Sequence, residues 1–188
     1  MPPRFFFGLI RYWLCAIMIM VIDMDLPKRK QNRLPEYDYG QEGSYFVTLC
    51  THNRAQIFQM EPAVGNGLCA VPEANQLLHN WIKETEKKFS NISIEKYIIM
   101  ADHLHLMVTI RQQCIGVSLP KIMHFFKTMT TNSYIREVKA GNLPPFDQKL
   151  WQKSYYDHVV RNQQDYNEIW EYIENNPLKW QLIHDPLF

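Results

Sequence analysis

Apolar and polar residues change rhythm several times along this chain, and each change marks an element. Ser44 to Thr51 (SYFVTLCT) is rich in aromatic and β-branched residues between polar, glycine-bearing text, which predicts a strand. Glu73 to Phe89 sets Leu77, Leu78, Trp81 and Ile82 at helical spacing among charges, an amphipathic helix. Ile92 to Met100 and His103 to Ile110 are apolar, β-branched runs joined by the short Ala101-Asp102 connection, and together they read as a β-hairpin. A second helix opens at Ser118-Leu119-Pro120, carries Ile122, Phe125, Phe126 and Met129 as its apolar stripe, and runs to about Lys139. Gly141 to Phe146, with Pro144-Pro145, breaks it. A last strand follows at Tyr155 to Val160, then a third helix from Asn162 to Asn176 that Pro177 is expected to stop.

The order β-α-β-β-α-β-α is that of an α+β, ferredoxin-like split β-α-β: an antiparallel sheet with two helices on one face. In that topology the first and third strands are central. The additional C-terminal helix is then free to reach the other face of the sheet.

Composition changes this picture little. The chain has 188 residues, enough for one domain with a proper core, and its 46% hydrophobic and 21% charged content is that of a globular protein. A net charge of +1 carries no global signature of nucleic-acid binding, so any such role must rest on local patches. Two exist: the arm Lys28, Arg29, Lys30 and Arg33, and the second helix with Lys121, Lys127, Arg136 and Lys139 against the lone acid Glu137. A solvated face and tail are the plain alternative. Four scattered cysteines (Cys15, Cys50, Cys69, Cys114) with no C-x-x-C pair suggest reduced thiols in a cytoplasm, with Cys50 and Cys114 acting as small hydrophobes.

The domain reading has three parts: an apolar extension over residues 1–23, a basic arm and loop over 24–43, and a globular domain over 44–188. Phe5 to Ile22 is almost wholly apolar but interrupted by Arg11. It reads as a membrane anchor, as a signal sequence, or as the product of a start codon placed too early, with Met24 as the true beginning. No small-x-small cleavage site supports the signal, and Met24-Asp25-Leu26-Pro27-Lys28 resembles an ordinary polar start.

The chemistry concentrates at His103-Leu104-His105. Residues i and i+2 of a strand share a face, so the two imidazoles converge as a half-site for a divalent metal. Tyr172 and Asn176, four apart on the third helix, share a helix face and offer a further ligand. The structural alternatives are a hydrogen-bonded histidine pair and a tyrosine of an amphipathic core. Asp102 reads either as a turn residue or as a group that orients an imidazole. His52, His79, His124, His158 and His184 read as structural.

The chain resembles the single-stranded DNA transposases that use one tyrosine and a His-hydrophobic-His motif, and within them the REP-associated tyrosine transposase branch. The resemblance is carried by Arg33-Leu34-Pro35-Glu36-Tyr37, Tyr45-Phe46-Val47-Thr48, Met100-Ala101-Asp102-His103-Leu104-His105, Phe126-Lys127-Thr128, Trp151 to His158 and Tyr172-Ile173-Glu174-Asn175-Asn176-Pro177. Ala101 departs from the family's usual proline. The resemblance implies a metal-dependent endonuclease and strand transferase acting beside short DNA hairpins. It implies His103, His105 and Asn176 as ligands of Mg²⁺ or Mn²⁺, and Tyr172 as the nucleophile that forms a 5′-phosphotyrosine. Tyr155, Tyr156 and Tyr166 are rival nucleophiles that lack an amide ligand on their own helix face. Phosphate contacts are expected from Lys28, Arg29, Lys30, Arg33, Lys127 and Arg136. The partner implied is single-stranded DNA with hairpins, the protein a monomer or homodimer in a bacterial cytoplasm at the nucleoid, without a small-molecule cofactor. Membrane contact follows only if residues 5–22 belong to the mature chain. A hairpin-binding protein that no longer cuts, and a membrane-anchored metal hydrolase, are the competing functions.

Overall fold

A computed structural model describes residues 34, 36–60 and 72–184. The apolar extension, Met24, the arm Lys28 to Arg33, and Cys15 and Cys69 lie outside them. Among the described residues are four strands, β1 (Gly43–Cys50), β2 (Ile92–Ile99), β3 (His103–Ile110) and β4 (Tyr156–Val159). Three helices accompany them, α1 (Glu73–Lys88), α2 (Leu119–Ala140) and α3 (Gln163–His184). A short 3-10 turn, His52–Arg54, follows β1.

The strands form one sheet in the order β2-β3-β1-β4, antiparallel throughout, with β1 and β3 at its centre as the sequence predicts. Alternation divides each central strand between two faces. Tyr45, Val47 and Leu49 of β1 and Leu104, Leu106 and Val108 of β3 face α1 and α2, where Leu78, Ile82, Ile122, Phe126 and Tyr134 close the main core. Phe46 and Met107 face the other way and pack with Ile173 of α3, flanked by Ile98, Ile169, Trp170 and Tyr172. The α1 stripe is nearly as read from the sequence: Leu77, Leu78 and Ile82 are buried, and half-buried Trp81 donates its indole N–H to Ser133 on α2 at 2.8 Å. In α2 the buried stripe runs through Leu119, Ile122, Met123 and Phe126, while Phe125 and Met129 sit at its margin.

The ends of the helices follow from their residues. Gly141, at φ 81°, lets the chain turn left-handed after α2, and the Asn142 N–H closes on the Glu137 carbonyl at 2.9 Å. Asn162 caps α3 by accepting the Asp165 N–H at 2.8 Å. The expected stop at Pro177 is not observed, since α3 continues to His184. Proline denies the Ile173 carbonyl its helical donor, yet Ile173 is 1% exposed, Asn176 8% exposed and the Pro177 ring buried. Packing of this turn on the sheet therefore outweighs one missing hydrogen bond. Cys114 also departs from expectation, being exposed in the β3–α2 loop rather than buried.

Leu104 is fully buried between the central strands and the helices. Leu104→Ala is expected to lower stability by about 2–5 kcal/mol, read by denaturant unfolding.

Candidate active site

The site rests on the register of β1 against β3. Cross-strand pairing sets Thr48 opposite His105 and Cys50 opposite His103, and on the other side of β1 it sets Thr48 opposite Tyr156. His103 and His105 therefore rise from one face, their ring centroids 4.7 Å apart. That face is the one α3 covers.

Each imidazole is held through Nδ1. His105 Nδ1 lies 2.9 Å from Thr48 Oγ1, and His103 Nδ1 lies 2.5 Å from Asp102 Oδ1. An ionised carboxylate only accepts, so a proton sits on His103 Nδ1, and in the neutral ring the lone pair is on Nε2. For His105 the second nitrogen decides the matter: the Asn176 side-chain amide donates to His105 Nε2 at 3.4 Å, so Nδ1 carries the proton and donates to Thr48. Both rings thus face their sheet partners through Nδ1, and His105 turns its Nε2 toward Asn176 of α3.

Electrostatics favour a neutral His105. Burial, then the neighbouring His103 and Arg54, hold the His105 pKa well below its ordinary value. For Asp102, burial favours the neutral acid, but the hydrogen bond and charge of His103 together with Arg54 outweigh it and bring the carboxyl below its usual value. Arg54 makes an ion pair with Asp102 Oδ2 at 3.3 Å.

Tyr172 stands over the pair. Its ring centroid is 5.3 Å from that of His105 and 5.8 Å from that of Phe46, both edge to face, and Lys179 Nζ lies 5.8 Å from its ring centre. Phe46 stacks on His105 with centroids 5.2 Å apart. Burial raises the Tyr172 pKa, against which the Asn176 hydrogen bond and the Arg54 charge pull it down. The phenol is therefore protonated at neutral pH until a base or cation draws the proton away.

Four sequence-predicted residues thus converge: His103, His105, Tyr172 and Asn176. Lys127 and Arg136 do not join them, because α2 packs on the opposite face. Lys127 donates to the Gln152 and Lys153 carbonyls at 2.6 and 2.9 Å, and burial lowers its pKa. Arg136 is exposed and donates to Ser133 at 2.8 Å. Tyr166 donates its hydroxyl to Glu95 at 2.8 Å at the β2 edge. Tyr156 shares the site face and is 53% exposed, while His158 pairs with Asp165 at 2.9 Å. His79, read as structural, has Tyr97 as its partner at 2.9 Å. Thr48 and Arg54 had no role in the sequence reading. Thr48 becomes predictable once the strands are aligned, whereas Arg54 lies far from the motif in sequence and no spacing rule reaches it.

Among the described residues no three His, Cys, Asp or Glu side chains form a metal cluster. Two imidazoles held through Nδ1, with the Asn176 amide at the Nε2 of His105, nonetheless suit a divalent cation that keeps its remaining positions for water and phosphate. Asn176 can present its oxygen there by rotating its amide.

Comparison with known proteins supplies the family. Residues 41–176 match the family model described as transposase, IS200-like. A Haemophilus influenzae (strain Rd) protein that is itself uncharacterised is 32% identical over 171 residues, covering 81% of this chain and 90% of its own length. The chain belongs to the IS200-like transposase family. Its fold is shared with a REP-associated tyrosine transposase solved bound to a REP hairpin, at a TM-score of 0.54 and 18% identity, covering 82% of this chain and 74% of the other. Both findings agree with the resemblance carried by the motifs. No helix among the described residues is long and apolar enough to cross a membrane.

The pKa of His105 sets a pH dependence of stability. Its folded-state value lies below the ordinary one of about 6.5, so as pH falls the unfolded chain takes up a proton first. The stabilisation is complete above about pH 6.5 and declines below it. Asp102, also lowered, loses its contribution only in more acidic solution, below about pH 4. Thermal melts in chelator from pH 7.5 to 5 should show a falling midpoint that His105→Gln flattens.

Proposed function

We propose that this protein is a metal-dependent single-stranded DNA endonuclease and strand transferase of the REP-associated branch, acting beside short DNA hairpins through Tyr172. The observation that carries the reading is the convergence of Tyr172 and Asn176, from one face of α3, on the two imidazoles of β3. Family membership supports a transposase, and the structural relative was solved with a REP hairpin.

His103, His105 and Asn176 would hold Mg²⁺ or Mn²⁺. Such a cation supplies positive charge to the non-bridging oxygens of the scissile phosphate. Asp102 holds the Nδ1 proton of His103, and Thr48 is placed to accept that of His105, which leaves Nε2 of each neutral ring available. Phe46 and His105 pack edge to face with the Tyr172 ring, so the hydroxyl is presented from a helix held against the sheet rather than from a loop. The Tyr172 oxygen bonds to phosphorus as its proton leaves. The bond from phosphorus to the 3′ oxygen breaks, and that oxygen takes a proton to become a free 3′-hydroxyl. The product is a 5′-phosphotyrosine that keeps the energy of the phosphodiester for rejoining to another strand.

The test is a labelled single-stranded hairpin from the DNA flanking the gene, incubated with the protein and Mn²⁺ and resolved under denaturing conditions. A protein-DNA band is expected, absent with chelator and absent in Tyr172→Phe, while His105→Ala and Asn176→Ala should lower its yield at least tenfold. A band that survives Tyr172→Phe would assign the nucleophile to another tyrosine, Tyr156 first. Hairpin binding with no band in the unmodified protein would favour the non-cleaving binding protein.

The arm Lys28, Arg29, Lys30 and Arg33 is proposed to contact DNA phosphates, with Lys127 and Arg136 contributing from α2. Salt titrations separate the two groups. Neutralising the four arm residues is expected to reduce the slope of log affinity against log salt by about 0.7 per lost contact on single strands. Lys127→Ala should change it less, because that ammonium already binds two carbonyls.

A further inference from the structure

We infer that Arg54 is a positioning residue for the metal ligand His103, acting through the carboxylate of Asp102. The inference rests on the metal reading proposed above and extends it to a side chain outside the motif.

Asp102 is bound at both oxygens: Oδ1 meets His103 Nδ1 at 2.5 Å and Oδ2 meets the Arg54 guanidinium at 3.3 Å. A carboxylate with only the imidazole as partner can rotate about its last side-chain bond. With Arg54 on the second oxygen its plane is fixed, and so is the direction from which His103 is held. Both side chains of the ion pair are partly shielded, at 36% and 21% exposure, which favours persistence over a fully solvated surface pair.

The backbone is built to deliver Arg54 to this position. The turn after β1 is clasped to the turn that carries Asp102. The Thr51 N–H and hydroxyl both donate to the Asp102 carbonyl, at 2.9 and 3.0 Å, and the Phe58 N–H donates to the Ala101 carbonyl at 3.1 Å. Between these clasps Asn53 and Arg54 stand at φ 52° and 54°, a left-handed conformation that a long side chain rarely adopts. A strained pair of residues persists only where surrounding contacts over-determine it, and here it brings a cation to the back of a metal ligand.

The test uses the full chain and two readouts. One is the ¹⁵N spectrum of the imidazoles in chelator, which reports whether His103 holds its proton on Nδ1. The other is Mn²⁺ affinity without DNA, from the free-ion signal in electron paramagnetic resonance. Arg54→Asn tolerates the left-handed backbone but removes the charge. It is expected to mix the His103 tautomers and weaken Mn²⁺ binding by about 10- to 100-fold, with little change in melting temperature. Arg54→Lys is expected to restore part of both. An Arg54→Asn protein with the same His103 spectrum and the same Mn²⁺ affinity as the unmodified chain overturns the inference. If the unmodified chain binds no Mn²⁺, the metal reading fails on its own, and the His103 spectrum still decides whether Arg54 fixes the imidazole.

Discussion

The pairing register of β1 with β3 is the constraint on which the rest depends. A shift by one residue would turn His103 and His105 into the main core and bring Leu104 to the opposite face. It would also remove Thr48 from His105. The register is secured from the other side of the sheet, where Tyr45, Val47, Leu49, Leu104, Leu106 and Val108 are all buried against α1 and α2. Hydrophobic burial on one face therefore fixes polar geometry on the other, with an enclosed core of ordinary apolar residues acting as the alignment device for two imidazoles.

Much of this was legible in the chain because the signals are periodic. Alternation placed the two histidines together, and helical spacing placed Tyr172 beside Asn176. The order of elements gave β1 and β3 as the central strands, so the extra helix had one uncovered face to occupy. Pro177 was misread because the rule that proline ends helices describes local backbone cost alone. In this turn Ile173 and Asn176 are held against the sheet, and tertiary packing carries the helix past it. The α2 lysine and arginine show the complementary limit. A charge on a helix can be counted from sequence, but that Lys127 closes onto the loop before β4 depends on how the chain returns to the sheet.

What the sequence does not disclose is the support behind the two imidazoles. Thr48, Asp102 and Arg54 come from three separate segments, and only Asp102 lies next to the motif. Their effect is to choose a tautomer, a property set by hydrogen bonds that exist only once β1, the turn after it and the β2–β3 connection have come together. Identical His-hydrophobic-His text in another sheet, with other residues behind Nδ1, would present different nitrogens.

The two halves of the site differ in how firmly they are held. The imidazoles belong to the centre of the sheet, backed by the main core. Tyr172 and Asn176 belong to α3, which is secured by the smaller cluster around Phe46, Met107 and Ile173. At its N-terminal end α3 adds the Asn162 cap, the His158–Asp165 pair and the Tyr166–Glu95 hydrogen bond, and further along it the Lys96–Glu174 pair at 3.6 Å. Fewer apolar side chains are buried under α3 than between the sheet and α1 and α2, so polar contacts carry a larger share of its attachment. The two imidazoles are set by strand pairing, whereas Tyr172 and Asn176 reach them only through the packing of α3 on the sheet.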